Sequence, residues 1–354
     1  MNRRAIARRM FLKFGAGAVG GAALGGVFGA GKALFGAQTQ APSAPLRRFP
    51  HLYEKAPGPA RVSLVKGTNR YDIVFRSLKL IEDEVLSSIG RKRILVKPNM
   101  VLSDCAACAT HVDAVRAVLD FLAPHFKSQI LIGESGVQNT MDGFVYNGYR
   151  RLEKDYNVKL MDLNHDKFQV RYVLGLDNKP TPVRFINTFF DPNLYIISVA
   201  RMKTHNYVFV TLSIKNVIMA SPLNDYKHND KGLMHQAPPA RNDLLHYNMF
   251  HIAQEIFPDL AVIDGFVGIE GNGPAWGSLI GSKVALASLD AVAADITGTR
   301  VMGFDPKQIN YLRVMAEAGL GQGEYDKIQL LGTPLDQCIT KYKPNERMAE
   351  LYKI

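Results

Sequence analysis

Cys105-Ala106-Ala107-Cys108, with His111 three residues on, sets two thiols and an imidazole at a spacing that suits a tight metal site. Thiolates and imidazole take zinc or an iron–sulfur centre, and Cys338 would supply a fourth ligand if the fold returned it to the pair. The same pair equally suits a redox dithiol with a lowered thiol pKa, or a simple disulfide in an oxidising compartment. Metal, redox dithiol and disulfide all stay open. Three cysteines in all are too few for a disulfide framework.

A second group is cationic. Lys203, His205 and Lys215 precede or open a helix expected over 211–219, with Thr211 or Ser213 as its cap. A helix N-terminus beside two lysines and a histidine is suited to a carboxylate or phosphate. A lysine taken out of water can also act as a base, because burial lowers its pKa. Glu134, Asp264, Glu270 and Asp290 are carboxylates that would hold a divalent cation or divide acid and base roles. The expected catalytic residues are therefore Lys97, Lys203, His205, Lys215, Glu134 and Asp264. Asn99, Ser135, Asn216, Glu270, Gly271, Asn272, Gly273 and Asp290 are expected around the ligand, and Cys105, Cys108 and His111 at a metal. Gly271-Asn272-Gly273-Pro274 permits close backbone approach, but it lacks the spacing of a dinucleotide fingerprint. No phosphate-binding P-loop, nucleophile elbow or zinc-protease helix motif occurs.

These residues need a frame. Short apolar runs at Val62–Val65, Ile94–Val96, Ile130–Ile132, Leu194–Val199, Leu260–Ile263, Val284–Ala287 and Ile328–Leu331 alternate with amphipathic stretches. The stretches lie near 70–89, 111–126, 141–155, 242–256, 290–302 and 307–319. The pattern predicts an α/β fold, a mostly parallel sheet of βαβ units with helices on both faces. Residues 164–192 are irregular and suggest a small β insertion, which would also mark the boundary if the domain from 61 to 354 were two fused lobes. Residues 220–241, rich in Pro, Asn, Asp, Lys and His, read as a long functional loop; His228, His235, His246 and His251 lie in or after it. In open parallel sheets ligands bind at the carboxyl ends of strands. Lys97-Pro98-Asn99, Gly133-Glu134-Ser135-Gly136, Lys203-Thr204-His205, Asp264-Gly265 and Ser288 with Asp290 each follow an apolar run. Five strands are thus expected to aim acids and bases at one edge.

Taken in order, these motifs resemble the family called domain of unknown function 362. The resemblance rests on Lys97-Pro98-Asn99, Glu134-Ser135-Gly136, Lys203-Thr204-His205, Thr211–Asn216, Asp264-Gly265, Glu270–Pro274 and Asp290–Pro306. It implies kinship with proteins of which many carry ferredoxin-type four-cysteine iron–sulfur motifs and many are exported by the twin-arginine route. This chain has no ferredoxin segment.

The first residues bear on the second implication. Arg8-Arg9-Met10-Phe11-Leu12-Lys13 matches the twin-arginine pattern, and Phe14–Gly31 follows without a charge. With eight Gly and five Ala among those eighteen residues, the stretch suits a signal better than a permanent span. Residues 1–37 are expected to be the signal segment and 38–60 a linker. The chain is then periplasmic, meets the twin-arginine translocation machinery, and touches a membrane only through the signal, as a tether if it is not cleaved. Residues 1–48 hold eight Lys or Arg and no acid, so +8 of the net +11 is address and +3 belongs to the rest. That removes nucleic acid as the partner implied by charge. What remains is an exported enzyme-like protein for a small anionic ligand, or a metal- or iron–sulfur-carrying accessory of an exported redox partner.

Overall fold

The computed structural model describes residues 58–235 and 243–353. The arginine pair, the expected signal segment and most of the expected linker lie outside the described residues. Twelve described strands are β1 (Ala60–Lys66), β2 (Arg93–Pro98), β3 (Ile130–Glu134), β4 (Val158–Asp162), β5 (Phe168–Leu174), β6 (Pro180–Ile186), β7 (Leu194–His205), β8 (Phe209–Thr211), β9 (Leu260–Glu270), β10 (Ser278–Ile280), β11 (Val284–Ser288) and β12 (Ile328–Gly332). The described helices are α1 (Arg70–Lys79), α2 (Glu82–Ile89), α3 (Val112–Leu122), α4 (Thr140–Tyr146), α5 (Leu152–Asp155), α6 (Ser213–Ile218), α7 (Asp230–Met234), α8 (Asp243–Ala253), α9 (Ala291–Val301), α10 (Asn310–Glu317) and α11 (Glu346–Tyr352).

One ten-stranded sheet runs β12-β1-β11-β9-β7-β2-β3-β4, with β8 on β7 and β10 on β9. The apolar runs are continuous because both faces are covered. Ile73, Val74 and Leu78 of α1 and the buried face of α3 pack on one side. Ile214, Val217 and Ile218 of α6, with α8, α9 and α10, pack on the other. The irregular stretch 164–192 contains the antiparallel hairpin β5–β6, as expected. Strands from before and after this insertion share the large sheet.

Two expected helices are broken. The stretch near 70–89 divides at Leu80 and Ile81, and the one near 141–155 divides at Gly148, whose φ of 76° ends regular helix. Two strands are longer than their apolar runs. Beyond Val199, β7 continues to His205 because β8 folds back on it, and β9 continues to Glu270 because β10 does the same. Lys203 and His205 are therefore strand residues that run past the end of β2, and Asp264 lies within β9, paired in register with Ala285 and Arg201; none of the three is a loop residue.

The expectation of five strands aimed one way fails at β11. It pairs antiparallel with both β9 and β1, while β9, β7, β2, β3 and β4 are mutually parallel. The connection from β9 through 271–283 holds only the short β10 and no crossover helix, so the chain must return antiparallel. Ser288 and Asp290 consequently lie at the opposite edge from the other motifs. There Asp290 caps α9, accepting from Ala293 N at 2.9 Å and Gln322 N at 2.7 Å. It is a structural cap and faces no ligand rim.

Candidate functional site

At the carboxyl ends of β2, β3 and β7 four lysines, Lys97, Lys203, Lys215 and Lys231, are buried with one carboxylate, Glu134. Lys97 Nζ lies 2.7 Å from Glu134 Oε1 and donates to Pro98 O at 2.6 Å and Asn216 Oδ1 at 3.2 Å. Glu134 also accepts from Ser135 N at 2.7 Å and Met100 N at 2.6 Å. Asn216 accepts from Asn99 Nδ2 at 3.0 Å and donates to Lys97 O and Ser198 Oγ, both at 3.0 Å. Lys203 Nζ donates to Asn99 Oδ1 and, at 2.8 Å, to Cys108 O. This half of the cluster has every named polar side chain engaged, as burial requires. Burial lowers the pKa of Lys97 against the opposing pull of Glu134. It lowers Lys203 much further, helped by Lys215 and Arg201.

The other half is different. Lys215, on the first turn of α6, is buried, and its ammonium makes no hydrogen bond or ion pair among the described residues. Burial pulls its pKa down to about 7, so both protonation states are populated at neutrality. His205, Tyr207 and His235 form a triangle beside it, with ring centroids 6.0, 6.0 and 5.6 Å apart. His205 Nδ1 accepts from Tyr207 N at 3.0 Å, which leaves the neutral ring's proton on Nε2. His235 Nδ1 lies 2.9 Å from Lys231 O and must donate to that carbonyl, which leaves its Nε2 an acceptor. Burial and then Lys215 depress both histidines, His235 to about 3, so both are neutral at pH 7. The triangle therefore offers one donor and one acceptor nitrogen.

Lys231 shows what a structural lysine looks like in the same place. Burial also holds it at about 7, but its ammonium donates to Ser135 Oγ at 3.1 Å, Ala220 O at 2.9 Å and Pro222 O at 2.9 Å. Ser135 Oγ in turn donates to Ala220 O at 2.6 Å. Together they clamp the start of the long loop. Asn224, donating to Gly136 O and Val137 O, and Tyr226, donating to Asp162, pin the rest of 220–229. His228 is exposed, whereas His246 is buried and accepts from Tyr311 N at 3.1 Å. Residues 236–242 lie outside the described residues.

Several sequence expectations move. The N-terminus of α6 does not await a ligand anion, because Asp295 of α9 already accepts from Ser213 N at 2.8 Å and Ile214 N at 3.0 Å. Neither Thr211 nor Ser213 is the cap. Asp264 is fully buried but ion-paired with Arg70 Nε at 3.1 Å on the face covered by α1, with Arg201 opposite it in register. It is a partner of these arginines, apart from the lysine cluster.

Glu270, Gly271 and Asn272 hold the C-terminal segment: Glu270 Oε2 accepts from Lys343 N at 2.9 Å, and Gly271 N donates to Lys343 O at 2.8 Å. Asn272 Oδ1 accepts from Asn345 Nδ2 at 3.3 Å. A Cβ on Gly273 would stand 2.3 Å from Thr204 O, so this glycine serves close packing on β7.

Cys105 and Cys108 are joined in a disulfide, and Cys338 is free and buried. His111 Nδ1 caps α3, accepting from Asp113 N at 3.2 Å. Among the described residues no group of three His, Cys, Asp or Glu could hold a metal ion. Two sulfurs bonded to each other and an imidazole engaged in a helix cap do not fit a zinc or iron–sulfur donor set. The disulfide loop instead lies over the strand ends. Arg201 Nη1 donates to Ala106 O and Ala109 O, and Lys203 holds Cys108 O between them.

Sequence reasoning missed Lys231, Tyr207 and Asp295 as members of the site and its supports. A lysine in a polar loop and an aspartate inside an apolar helix carry no periodic signal of burial against each other.

The fold and this cluster define an α/β protein with a buried, cation-rich site at strand carboxyl ends. The chain belongs to the family Domain of unknown function (DUF362), whose model matches residues 94–300. A thylakoid-associated protein of Synechocystis sp. is 23% identical over 254 residues, covering 71% of this chain and 75% of that protein. Among solved structures, the lactate racemase apoprotein from Thermoanaerobacterium thermosaccharolyticum aligns with a TM-score of 0.41 at 14% identity, over 69% of this chain and 57% of that one. A Thermotoga maritima protein aligns at 0.33, also at 14% identity, over 61% and 55%. The chain thus spans little more than half the length of either.

Proposed function

We propose that this chain is an exported enzyme that binds a small carboxylate- or phosphate-bearing anion and moves a proton on it through Lys215. The observation that carries the reading is the buried Lys215 ammonium, without a partner among the described residues, held at about 7 beside His205 and His235. An unpaired buried cation is costly and is retained where a ligand supplies the counter-charge. In its neutral form Lys215 takes a proton from the bound molecule and becomes an ammonium. The negative charge left on the substrate is stabilised by that ammonium and the neighbouring lysines. The His205 Nε2–H and the His235 Nε2 lone pair orient a hydroxyl or carbonyl group on the same molecule. Export is supported by Arg8-Arg9 with Phe11-Leu12-Lys13, which implies delivery through the twin-arginine translocation machinery.

Deuterium exchange tests this reading. Short mono- and dicarboxylates incubated with the protein in heavy water should lose their α-proton signal, and Lys215→Met should abolish the exchange. Exchange that persists in the variant removes Lys215 from the chemistry.

A second reading is favoured by the disulfide beside Lys203. Two electrons and two protons from an exported redox partner would convert it to two thiols and loosen the loop over the site. Full activity in a Cys105→Ser/Cys108→Ser protein, with no change on adding dithiothreitol to the wild type, excludes that role.

A further inference from the structure

Arg347, on the first turn of α11, lies outside every motif considered so far. Its guanidinium carbon sits 4.2 Å from the centre of the Tyr207 ring, the stacked arrangement a guanidinium favours on an aromatic face. Its positive charge reaches His205, where it opposes protonation along with Lys215 and His235. Nε and Nη2 are both buried, and neither has a hydrogen-bond partner among the described residues. These two nitrogens form one edge of the guanidinium, the edge whose parallel N–H groups grip two oxygens of a carboxylate or phosphate side-on. Leaving such donors unmade in a buried place is destabilising, because each loses its water without gaining a partner.

The edge is also held in position. Lys343 is fixed by Glu270 and Gly271, Asn345 by Asn272, and Asn345 Oδ1 accepts from Arg347 N at 3.1 Å as the cap of α11. Met348 is buried in the core, and Tyr352 packs on Phe209 with centroids 4.7 Å apart. The glycine-rich end of β9 thus presents an arginine to the site.

We propose that Arg347 binds a second anionic group of the substrate, so that the substrate class is a short molecule with two acidic ends. One end meets Lys215 and the histidines, and the other is forked by the Nε–Nη2 edge against Tyr207. A carboxylate and a phosphate satisfy this edge equally by geometry. This inference rests on the anion site proposed above.

Titration calorimetry on the full chain separates the two ideas, using acetate and inorganic phosphate as one-headed probes and succinate and 3-phosphonopropionate as two-headed ones. Arg347→Lys keeps the charge but loses the side-on fork, and Arg347→Gln loses both; thermal melting of each variant checks folding. The expected result is at least a tenfold loss of affinity for a two-headed probe, with less than a twofold change for acetate and phosphate. Succinate losing affinity without the phosphonate identifies a carboxylate at Arg347, and the reverse identifies a phosphate. Equal effects on one-headed and two-headed probes, or no effect on any, overturn the proposal. Lys215→Met supplies the separate control: if it leaves acetate and phosphate binding unchanged, the underlying anion site fails, and the assignment of Arg347 fails with it.

Discussion

The two halves of the lysine cluster are made of the same residue types and arrive at different states. Around Lys97, Glu134, Asn99, Asn216 and Lys203, the polar groups satisfy one another and the main chain. Around Lys215, His205 and His235 the outward nitrogens have no hydrogen-bond partner among the described residues, and Nε and Nη2 of Arg347 are buried without one. The difference tells scaffold from site where composition does not. A lysine whose ammonium is surrounded by carbonyls, as Lys231 is, positions backbone, and Lys215, with no such partner among the described residues, is the one to which the proposed chemistry is assigned.

The largest effect expected from this division is on the closed side. Lys97→Met removes the partner of a buried carboxylate, which leaves Glu134 uncompensated and should cost about 3–5 kcal/mol of stability. Chemical denaturation measures it. A cost under about 1 kcal/mol, on the scale of an exposed pair, would put Lys97 with the open groups.

On the open side the sign reverses. Lys215→Met removes a buried ammonium that has no partner among the described residues, at near-constant volume, and should stabilise the protein by about 1–3 kcal/mol while ending anion binding. The gain has a defined pH window. An unfolded lysine keeps its proton to about 10.4, whereas folded Lys215 loses it near 7. Wild-type stability therefore rises with pH across that window, and the advantage of the variant should be greatest below pH 7 and fade toward 10. A variant less stable than wild type at pH 6 contradicts the open state of Lys215.

Much of this arrangement is legible in the sequence. The apolar runs mark seven of the ten strands of the sheet and miss β4, β8 and β10, and the structure brings Lys97, Glu134, Lys203, His205 and Lys215 together at one edge. Asp290 was misread because strand direction depends on what lies between strands, and 271–283 contains no helix to carry a parallel crossover. Asp264 has the right residue type and the wrong company, since Arg70 from α1 reaches it across the sheet face. Arg347 and Lys231 were invisible for a further reason. Their roles depend on which donors remain unmade after packing, and no spacing rule encodes that.

A smaller and sharper test is the pH profile of the open half. The titration of Lys215 near 7 should act in opposite directions on two measurements, whereas Lys231, also near 7, donates to loop carbonyls and serves the loop. Affinity for acetate, which needs the ammonium, should fall as pH rises through 7, by up to tenfold per unit for a single coupled proton. Exchange of the substrate's α-proton, which needs the neutral amine as base, should rise over the same range. His235, depressed to about 3, stays neutral throughout and contributes to neither trend. Parallel trends in the two measurements mean that another group carries the proton.

The smallest expected effect concerns how the open half is held. Glu270, Gly271 and Asn272 do not face the lysine cluster; they fasten 343–345, and through it α11 and Arg347. Removing the acceptor for Lys343 N with Glu270→Ala should cost about 0.5–1.5 kcal/mol, the net worth of one hydrogen bond. The change should be local, because Met348 and Tyr352 still anchor the helix. Amide hydrogen exchange should therefore speed up across 343–347 and stay unchanged in β7 and α6. Affinity for succinate should weaken severalfold while that for acetate holds, because only the two-headed probe uses Arg347. Unchanged exchange at 343–347 would remove the positioning role of β9's glycine-rich end and return Glu270 to the list of direct ligand contacts.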